Sequence, residues 1–334
     1  MSLPDGAAIE GVWPRPRIDP RYVPLAVTLS LFVAIAGTGS VLYEGFFAPQ
    51  VFLNLLIDNA FLCIVAVGVT FVILTGGIDL SVGAVVALTT MISAQLVQRN
   101  DVSPWLVFPL VLAIGAVFGL AQGYLVQRFR LQPFIVTLAG MFLARGLCYL
   151  ISTESISITN PVYSAIAQAR LPLGGDASLS VSAIVAIAVV LAGMWLAHST
   201  QFGRTVYAIG GNESSAQLMG LPVGLTIIRV YMLSGFCAAL GGVAVTFYMQ
   251  SGYSLHAAGL ELDAIAAVVI GGTLLRGGVG YVLGTLFGVL ILGIIQTLIT
   301  FEGTLSSWWT RIAVGALLFA FCLLQRLFEA RRRG

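Results

Sequence analysis

Residues 55–98 read LLIDNAFLCIVAVGVTFVILTGGIDLSVGAVVALTTMISAQLVQ, and Asp58 and Asp79 are the only charged side chains in the whole stretch. Two apolar runs, 55 to 74 and 80 to 98, each have about the twenty residues that a helix needs to cross the hydrocarbon core of a bilayer. Gly76, Gly77 and Asp79 lie in the short break between them. This stretch predicts two membrane-spanning helices, with Asp79 starting the second and its carboxylate accepting amide hydrogens of the new helix.

Similar runs recur outward from it, at 24 to 43, 105 to 126, 134 to 151, 180 to 198, 228 to 250, 281 to 300 and 308 to 327. A shorter run, 264 to 275, follows Glu261 and Asp263 and ends at Arg276-Gly277-Gly278. Counted as a crossing it makes about ten spans; a half-helix is the alternative, because backbone breaks are tolerated where protein buries them. The fold class expected is an all-α, polytopic integral membrane protein. Composition agrees: 58% of residues are hydrophobic, 9% are charged and the mean hydropathy is +0.99. A soluble domain carries about 25% charged residues, so too few are present here to cover a globule.

Charge also excludes functions. A net charge of +2 gives no basic face for nucleic acid. Lysine is absent and all 16 basic residues are arginine, which removes the P-loop lysine and any Schiff base. Neither GxxxxGK[ST] nor HExxH occurs, and His198 and His256 fall on opposite predicted sides of the membrane. Ser254 and His256, two residues apart, read as a turn and not a dyad. Cys63, Cys148, Cys237 and Cys322 are isolated in apolar runs and read as small buried hydrophobes. No catalytic or metal-ligating set emerges, so a transport subunit is expected in place of an enzyme.

Arginine placement orients the chain. Arg15, Arg17 and Arg21 precede the first span, Arg128 and Arg130 follow the fourth, Arg204 follows the sixth, and Arg326, Arg331, Arg332 and Arg333 close the last. With both termini cytosolic, all of these lie on the cytosolic side; Arg99 and Arg170 are exceptions. A cleavable signal peptide ending near Ala34-Ile35-Ala36 is the competing reading of the first run, but the long leader with Asp5, Glu10 and Asp19 favours an uncleaved span. Residues 1–23 are thus a cytosolic leader, 24–328 one transmembrane domain and 329–334 a basic tail. Residues 152–179 form an external loop. Residues 199–227 form the longest cytosolic loop, where Gly210-Gly211 breaks the chain, Asn212 caps a short helix from Glu213 to Met219, and Gly220 and Pro222 end it. Gly76-Gly77 with Gly83 is echoed by Gly277-Gly278 with Gly284, as duplicated halves of a transporter would be.

Polar groups inside spans are costly and face cavities or partners. Arg145 lies near the middle of the fifth span, either on a substrate path or paired with a carboxylate such as Asp58 or Glu261. Glu261 and Asp263 stand before the short run, with Arg276 favouring its far terminus. Asn59, Asp79, Thr137, Phe142, Trp308 and Trp309 complete the set that a sugar path could use, although paired tryptophans also serve as interface anchors.

Four stretches, TGGIDLSVGA (75 to 84), TLAGMFLARG (137 to 146), FGRTVYAIGGNESSAQLMGL (202 to 221) and ELDAIAAVVIGGTLLRGGVG (261 to 280), resemble the monosaccharide branch of bacterial ABC permeases. DNAFL (58 to 62) and GTLSSWWTRIAVG (303 to 315) are most similar to a permease of the galactofuranose importer. The resemblance implies an inner-membrane permease pairing with a second permease, itself or a paralogue. It also implies a periplasmic sugar-binding protein and cytosolic ATPases that bind the ATP, this chain holding no cofactor. It assigns residues 210 to 220 to the element that docks on the ATPase: Gly210, Gly211, Asn212, Glu213, Ser214, Ala216, Leu218, Met219 and Gly220, with Arg204 nearby. An ion-driven secondary transporter using Asp58 and Asp79 is the competing mechanism.

Overall fold

The computed structural model describes residues 23–174, 177–303 and 308–333. The leader arginines lie outside the described residues, as do the side chains beyond Leu323. In chain order the helices are α1 (Val23–Leu42), α2 (Pro49–Asp58), α3 (Ala60–Leu74), α4 (Val82–Ala94, continued by a π-helical turn Gln95–Arg99), α5 (Pro104–Phe129) and α6 (Pro133–Ile151). Strand β1 (Ile156–Ser157), α7 (Pro161–Gln168), β2 (Arg170–Gly174) and β3 (Ala177–Ser180) follow. Then come α8 (Val181–Ser199), α9 (Gln201–Gly211), α10 (Glu213–Leu218), α11 (Val223–Met249), β4 (Ser251–Gly252), α12 (Leu260–Ile270), α13 (Val282–Glu302) and α14 (Trp308–Arg333). Proline opens α2, α5, α6 and α7, where its missing N–H is no loss.

All nine long apolar runs are helical. The protein is an all-α, multi-pass membrane protein, and the two soluble-looking segments hold more structure than loops would. Residues 152–179 contain α7, capped by Asn160, and the β2–β3 hairpin, while β1 pairs antiparallel with β4. Helix α3 is apolar all round because it is buried all round, from Leu62 to Leu74. By contrast α5, α6 and α8 bury little more than a quarter of their length, 28% each, and turn the rest outward.

Helix α11 crosses α5 antiparallel at backbone distance. A Cβ added at Gly119 would sit 2.1 Å from the Tyr231 carbonyl oxygen, and one at Gly235 would sit 2.2 Å from that of Gly115. Small residues at such crossings let helices gain van der Waals contact where no hydrophobic force between them exists.

The expected count of ten crossings is not confirmed. Among the described residues seven helices are long and apolar enough to span, and α2 with α3, bent by 59°, makes an eighth. The run 264 to 275 is the reason for part of the shortfall: α12 has 11 residues, about 16 Å at 1.5 Å per residue, half of a bilayer core. It packs antiparallel on α13, with Ala267 at Gly288 and Gly271 at Gly284, and covers only one half of that helix. Helix α4 with its π-helical turn, Val82–Arg99, is one of the seven but is offset along its neighbour. The chain from Gly77 through α4 runs parallel to α11, meeting Tyr231 at Gly77, Ser234 at Asp79 and Gly242 at Thr89. It therefore starts about 12–16 Å along α11, inside the span.

The α5–α11 crossing yields a test. Gly119→Leu places a side chain against a carbonyl that cannot retreat, and overpacking of this kind costs about 1–3 kcal/mol or more. The thermal midpoint of purified protein in detergent should fall clearly, whereas Gly146→Ala, at a glycine with nothing within 4 Å, should leave it unchanged.

Candidate functional site

Three breaks in helical backbone, at 75–81, 253–259 and 271–281, bring most of the sequence-predicted polar residues together. At the first, Gly76 takes φ +81° and turns the chain back into the protein. Asp79 follows, only 1% exposed. Its Oδ1 accepts from Ser81 N at 2.9 Å and from Ser81 Oγ at 2.7 Å, and its Oδ2 accepts from Ser234 Oγ on α11 at 2.7 Å. Thr137 Oγ1 on α6 lies 3.0 Å from the Pro133 carbonyl of its own helix and 3.2 Å from the Ile78 carbonyl, and its one hydrogen serves either. The expected helix cap is corrected here. The N-cap of α4 is Ser81, whose side chain makes no capping bond, and Asp79 instead binds the residue before the helix and ties the loop to α11. Gln122 Oε1 stands 3.1 Å from Ser81 Oγ, while Gln122 Nε2 and the Tyr231 hydroxyl in the same layer are buried without a hydrogen-bond partner.

At the second break, Arg145 corrects another expectation. Its Nη1 donates to the carbonyls of Ser254 at 2.6 Å and His256 at 2.8 Å, not to Asp58 or Glu261. The turn it holds leads through Ala257 and Gly259, both at positive φ, into α12. Carbonyls released from regular structure need donors, and a guanidinium supplies several in a fixed fork. Glu261 and Asp263 lie within the first turn of α12, not ahead of it, and make no cap bond; they favour that terminus through its dipole alone. Glu261 Oε2, Ser254 Oγ and His256 Nδ1 are buried without partners, and Gly83 approaches Glu261 so closely that a Cβ there would be 2.2 Å from Oε2. Arg276 lies six residues beyond the end of α12, in the third break, and not at the helix terminus.

The remaining candidates scatter. Asn59 sits at the α2–α3 bend, its Nδ2 donating to the Leu55 carbonyl at 2.9 Å and its side chain against Gly293. Phe142, Trp308 and Trp309 are exposed on the helical surface, and Arg311 lies over the Trp308 ring at 5.5 Å. Asp263 lines a cavity of about 180 Å³ with His256, Phe61 and Tyr248. A second cavity of about 240 Å³, beside α2, α8 and the end of α11, shares Phe61 and Tyr248 with it. Sequence reasoning missed these two rings; nothing local distinguishes Phe61 among 19 phenylalanines. It also passed over Arg311, although an arginine inside the run 308 to 327 carried the same signal as Arg145.

The element expected to dock a partner forms as read. Asn212 caps α10, its side chain accepting from Ser215 N at 2.8 Å, and Gly220 takes φ +77° beyond it. Arg204 lies in α9, which ends at Gly210-Gly211, so these glycines close a helix where the sequence predicted an open loop. Glu213 and Ser214 are exposed, Leu218 is 90% exposed and Met219 67%. Ala216 is the correction: it is fully buried against its own chain, so it anchors α10 and does not face outward. Gly210 is wedged into the α3 and α12 connections, where an added Cβ would lie 1.9 Å from Leu74 O and 2.2 Å from Gly278 N. Gly278 N in turn donates to Leu74 O at 2.9 Å.

Comparison with known proteins follows this geometry. Residues 51–322 match the family described as branched-chain amino acid transport system / permease component, and the chain belongs to it. It is 53% identical over 306 residues to the inner membrane ABC transporter permease protein YjfF of Escherichia coli (strain K12), covering 92% of both chains. It is 41% identical to the fructose import permease protein FruG of Bifidobacterium longum, covering 94% of each. Against the ribose import permease protein RbsC of Haemophilus influenzae it is 38% identical, covering 92% of this chain and 93% of that one. No solved structure matches the chain.

Removing the Asp79 carboxylate strands its donors. Asp79→Ala leaves the Ser234 hydroxyl and the Ser81 amide buried without their acceptor, each worth about 1–3 kcal/mol, while the Ser81 hydroxyl can turn to Gln122 Oε1; Asp79→Asn keeps an acceptor oxygen. The thermal midpoint in detergent should fall in the order wild type, Asn, Ala.

Proposed function

We propose that this chain is the membrane-spanning subunit of an ATP-binding cassette importer that carries a monosaccharide into the cytoplasm across a bacterial inner membrane. The observation that carries this reading is the identity of 38–41% over nearly full length to permeases named for fructose and ribose. Galactofuranose is the first sugar to test, on the strength of the DNAFL and GTLSSWWTRIAVG segments. The partners are a cytosolic ATPase that binds ATP, a second permease and an external sugar-binding protein. Both termini and the α9–α10 segment face the cytosol in this reading, and 152–179 faces outward.

The mechanism follows from α10. Leu218 and Met219 are apolar side chains held in water by a short capped helix, and such a helix seats its apolar residues in a groove of a partner. ATP-driven movement of that partner would displace α10 and α9 together. Gly210 passes the movement to Leu74 and Gly278, and so to the connections that carry Asp79 and end α12. Glu261 and Asp263, with Asn59, lie around the half-helices where the path would change its opening; Arg145 and Thr137 position the backbone there.

Proteoliposomes holding the permease, ATPase and binding protein should take up a panel of furanoses and pyranoses only with ATP on the α10 side, and an ionophore should not stop uptake. Leu218→Asp with Met219→Asp should abolish uptake and binding-protein-stimulated hydrolysis while insertion persists. Cysteines at Ser214 and Ser164 should be labelled by an impermeant reagent from opposite faces; labelling from one face overturns the orientation.

A further inference from the structure

The larger cavity has a use that the transport reading leaves unassigned. Its walls come from three separate parts of the chain. Helix α2 brings Asn54 and Asp58 on one side, α8 brings Ser182 on another, and Arg170 stands at the rim. Phe61 from α3 and Tyr248 from α11, the latter 53% exposed, line its other side, their ring centroids 6.4 Å apart and their planes tilted by 48°. The cavity is open to the surface, with Asn54 and Asp58 exposed. The 59° bend between α2 and α3 opens this space, because it swings α2 away from the line of α3 toward α8 and the β2–β3 hairpin.

The polar atoms of the wall are available. Among the described residues nothing donates to the Asp58 carboxylate, and neither the Ser182 nor the Tyr248 hydroxyl has a hydrogen-bond partner. The Asn54 Oδ1 accepts from Gln50 Nε2 at 2.7 Å, which leaves the Asn54 amide hydrogens free and orients them. Available acceptors, donors and an aromatic face on one wall define a particular chemistry. A polyol ring offers hydroxyls that both donate and accept around its edge, and patches of C–H on its face that pack on an aromatic ring. A lipid tail would leave the polar groups unpaired, and an inorganic anion would face Asp58. The volume of about 240 Å³ accommodates one sugar ring.

We infer that the cavity between α2, α8 and the end of α11 is a monosaccharide-binding subsite within a single copy of this chain, in which Tyr248 and Phe61 carry the ring face and Asn54, Asp58 and Ser182 bond its hydroxyls. The site rests on the sugar-import reading and adds a place for the sugar beside the half-helices. Phe61 and Tyr248 also line the inner cavity with Asp263, so the same rings separate the subsite from the next chamber.

The test is protection of an introduced thiol. Cys63, Cys148 and Cys237 are buried, so Ser182→Cys in a Cys322→Ala background provides one accessible reporter, and Asn54→Cys a second. Ribose, fructose and galactose, each at 1–100 mM as a rough range for a weak site, are added to purified permease, with betaine as an osmolyte control. At least one sugar should slow maleimide modification at both reporters threefold or more, betaine should not, and Tyr248→Ala should abolish the effect. Where Tyr248→Ala does not give monodisperse protein, Asp58→Ala is read in its place with the same expectation. Absence of protection by all three sugars, or equal protection in the ring variant, overturns the subsite. Uptake by the full assembly is measured alongside: uptake without protection sinks the subsite alone, and protection without uptake counts against the import reading while leaving the subsite.

Discussion

In hydrocarbon no water is available to a loose amide or carbonyl, so every break in a spanning helix has to be satisfied from within the protein. Besides the α2–α3 bend, the described residues break helical backbone at 75–81, 253–259 and 271–281, and each of these breaks has polar partners. Asp79 takes the Ser81 amide, Thr137 reaches the Ile78 carbonyl, Arg145 holds the Ser254 and His256 carbonyls, and Leu74 O receives Gly278 N. Thr28 on α1 donates to the Ile270 carbonyl at the end of α12, and the Tyr207 hydroxyl to Gly280. These polar residues are thus placed where regular structure stops, while others, such as Thr70, Thr90 and Thr246, bond within their own helices. Their first duty is to the backbone, and only those left over are free for a substrate.

That division explains what the sequence disclosed and what it withheld. Every long apolar run became helix because about twenty consecutive apolar residues leave few other solutions in lipid. The capped α10 was equally legible, since Asn212, Gly220 and Pro222 act through neighbours in the chain. Arg145 announced itself as an arginine among apolar residues, yet its partner did not. Carbonyls of a distant turn carry no residue signature, and a carboxylate looked the better match. Asp79 misled in the same way, because capping is local and visible whereas Ser234 lies 155 residues away.

The short run that would bring the count to ten illustrates a related point. Hydropathy measures transfer from water and does not record length lost to a turn. Residues 271 to 275 continue the apolar run, but Gly272 takes φ +89° and ends the helix in practice. The echo of paired glycines had a structural basis nevertheless. Gly76 lies 3.2 Å, measured from an added Cβ, from the Arg276 carbonyl, so the two glycine turns pack on each other and not merely in parallel positions of two halves.

The close packing at Gly210 joins these observations mechanically. A helix end that touches two other connections through bare backbone has no side chain to yield when it is pushed, so displacement passes on with little loss. Residues beyond it divide by stiffness. The Asp79 carboxylate is buried and bonded on both oxygens, whereas the α2–α3 bend is held by the Asn59 side chain and amide on Leu55, by the Cys63 amide on the Asn59 carbonyl and by contact with Gly293. Movement arriving at Leu74 along the rigid, buried α3 would therefore be taken up at Asn59, where the helix is already bent. That bend sets the separation of α2 from α8 and α11, and with it the width of the cavity between them. Under the proposed mechanism, force on α10 would reach that cavity by changing the angle at one asparagine.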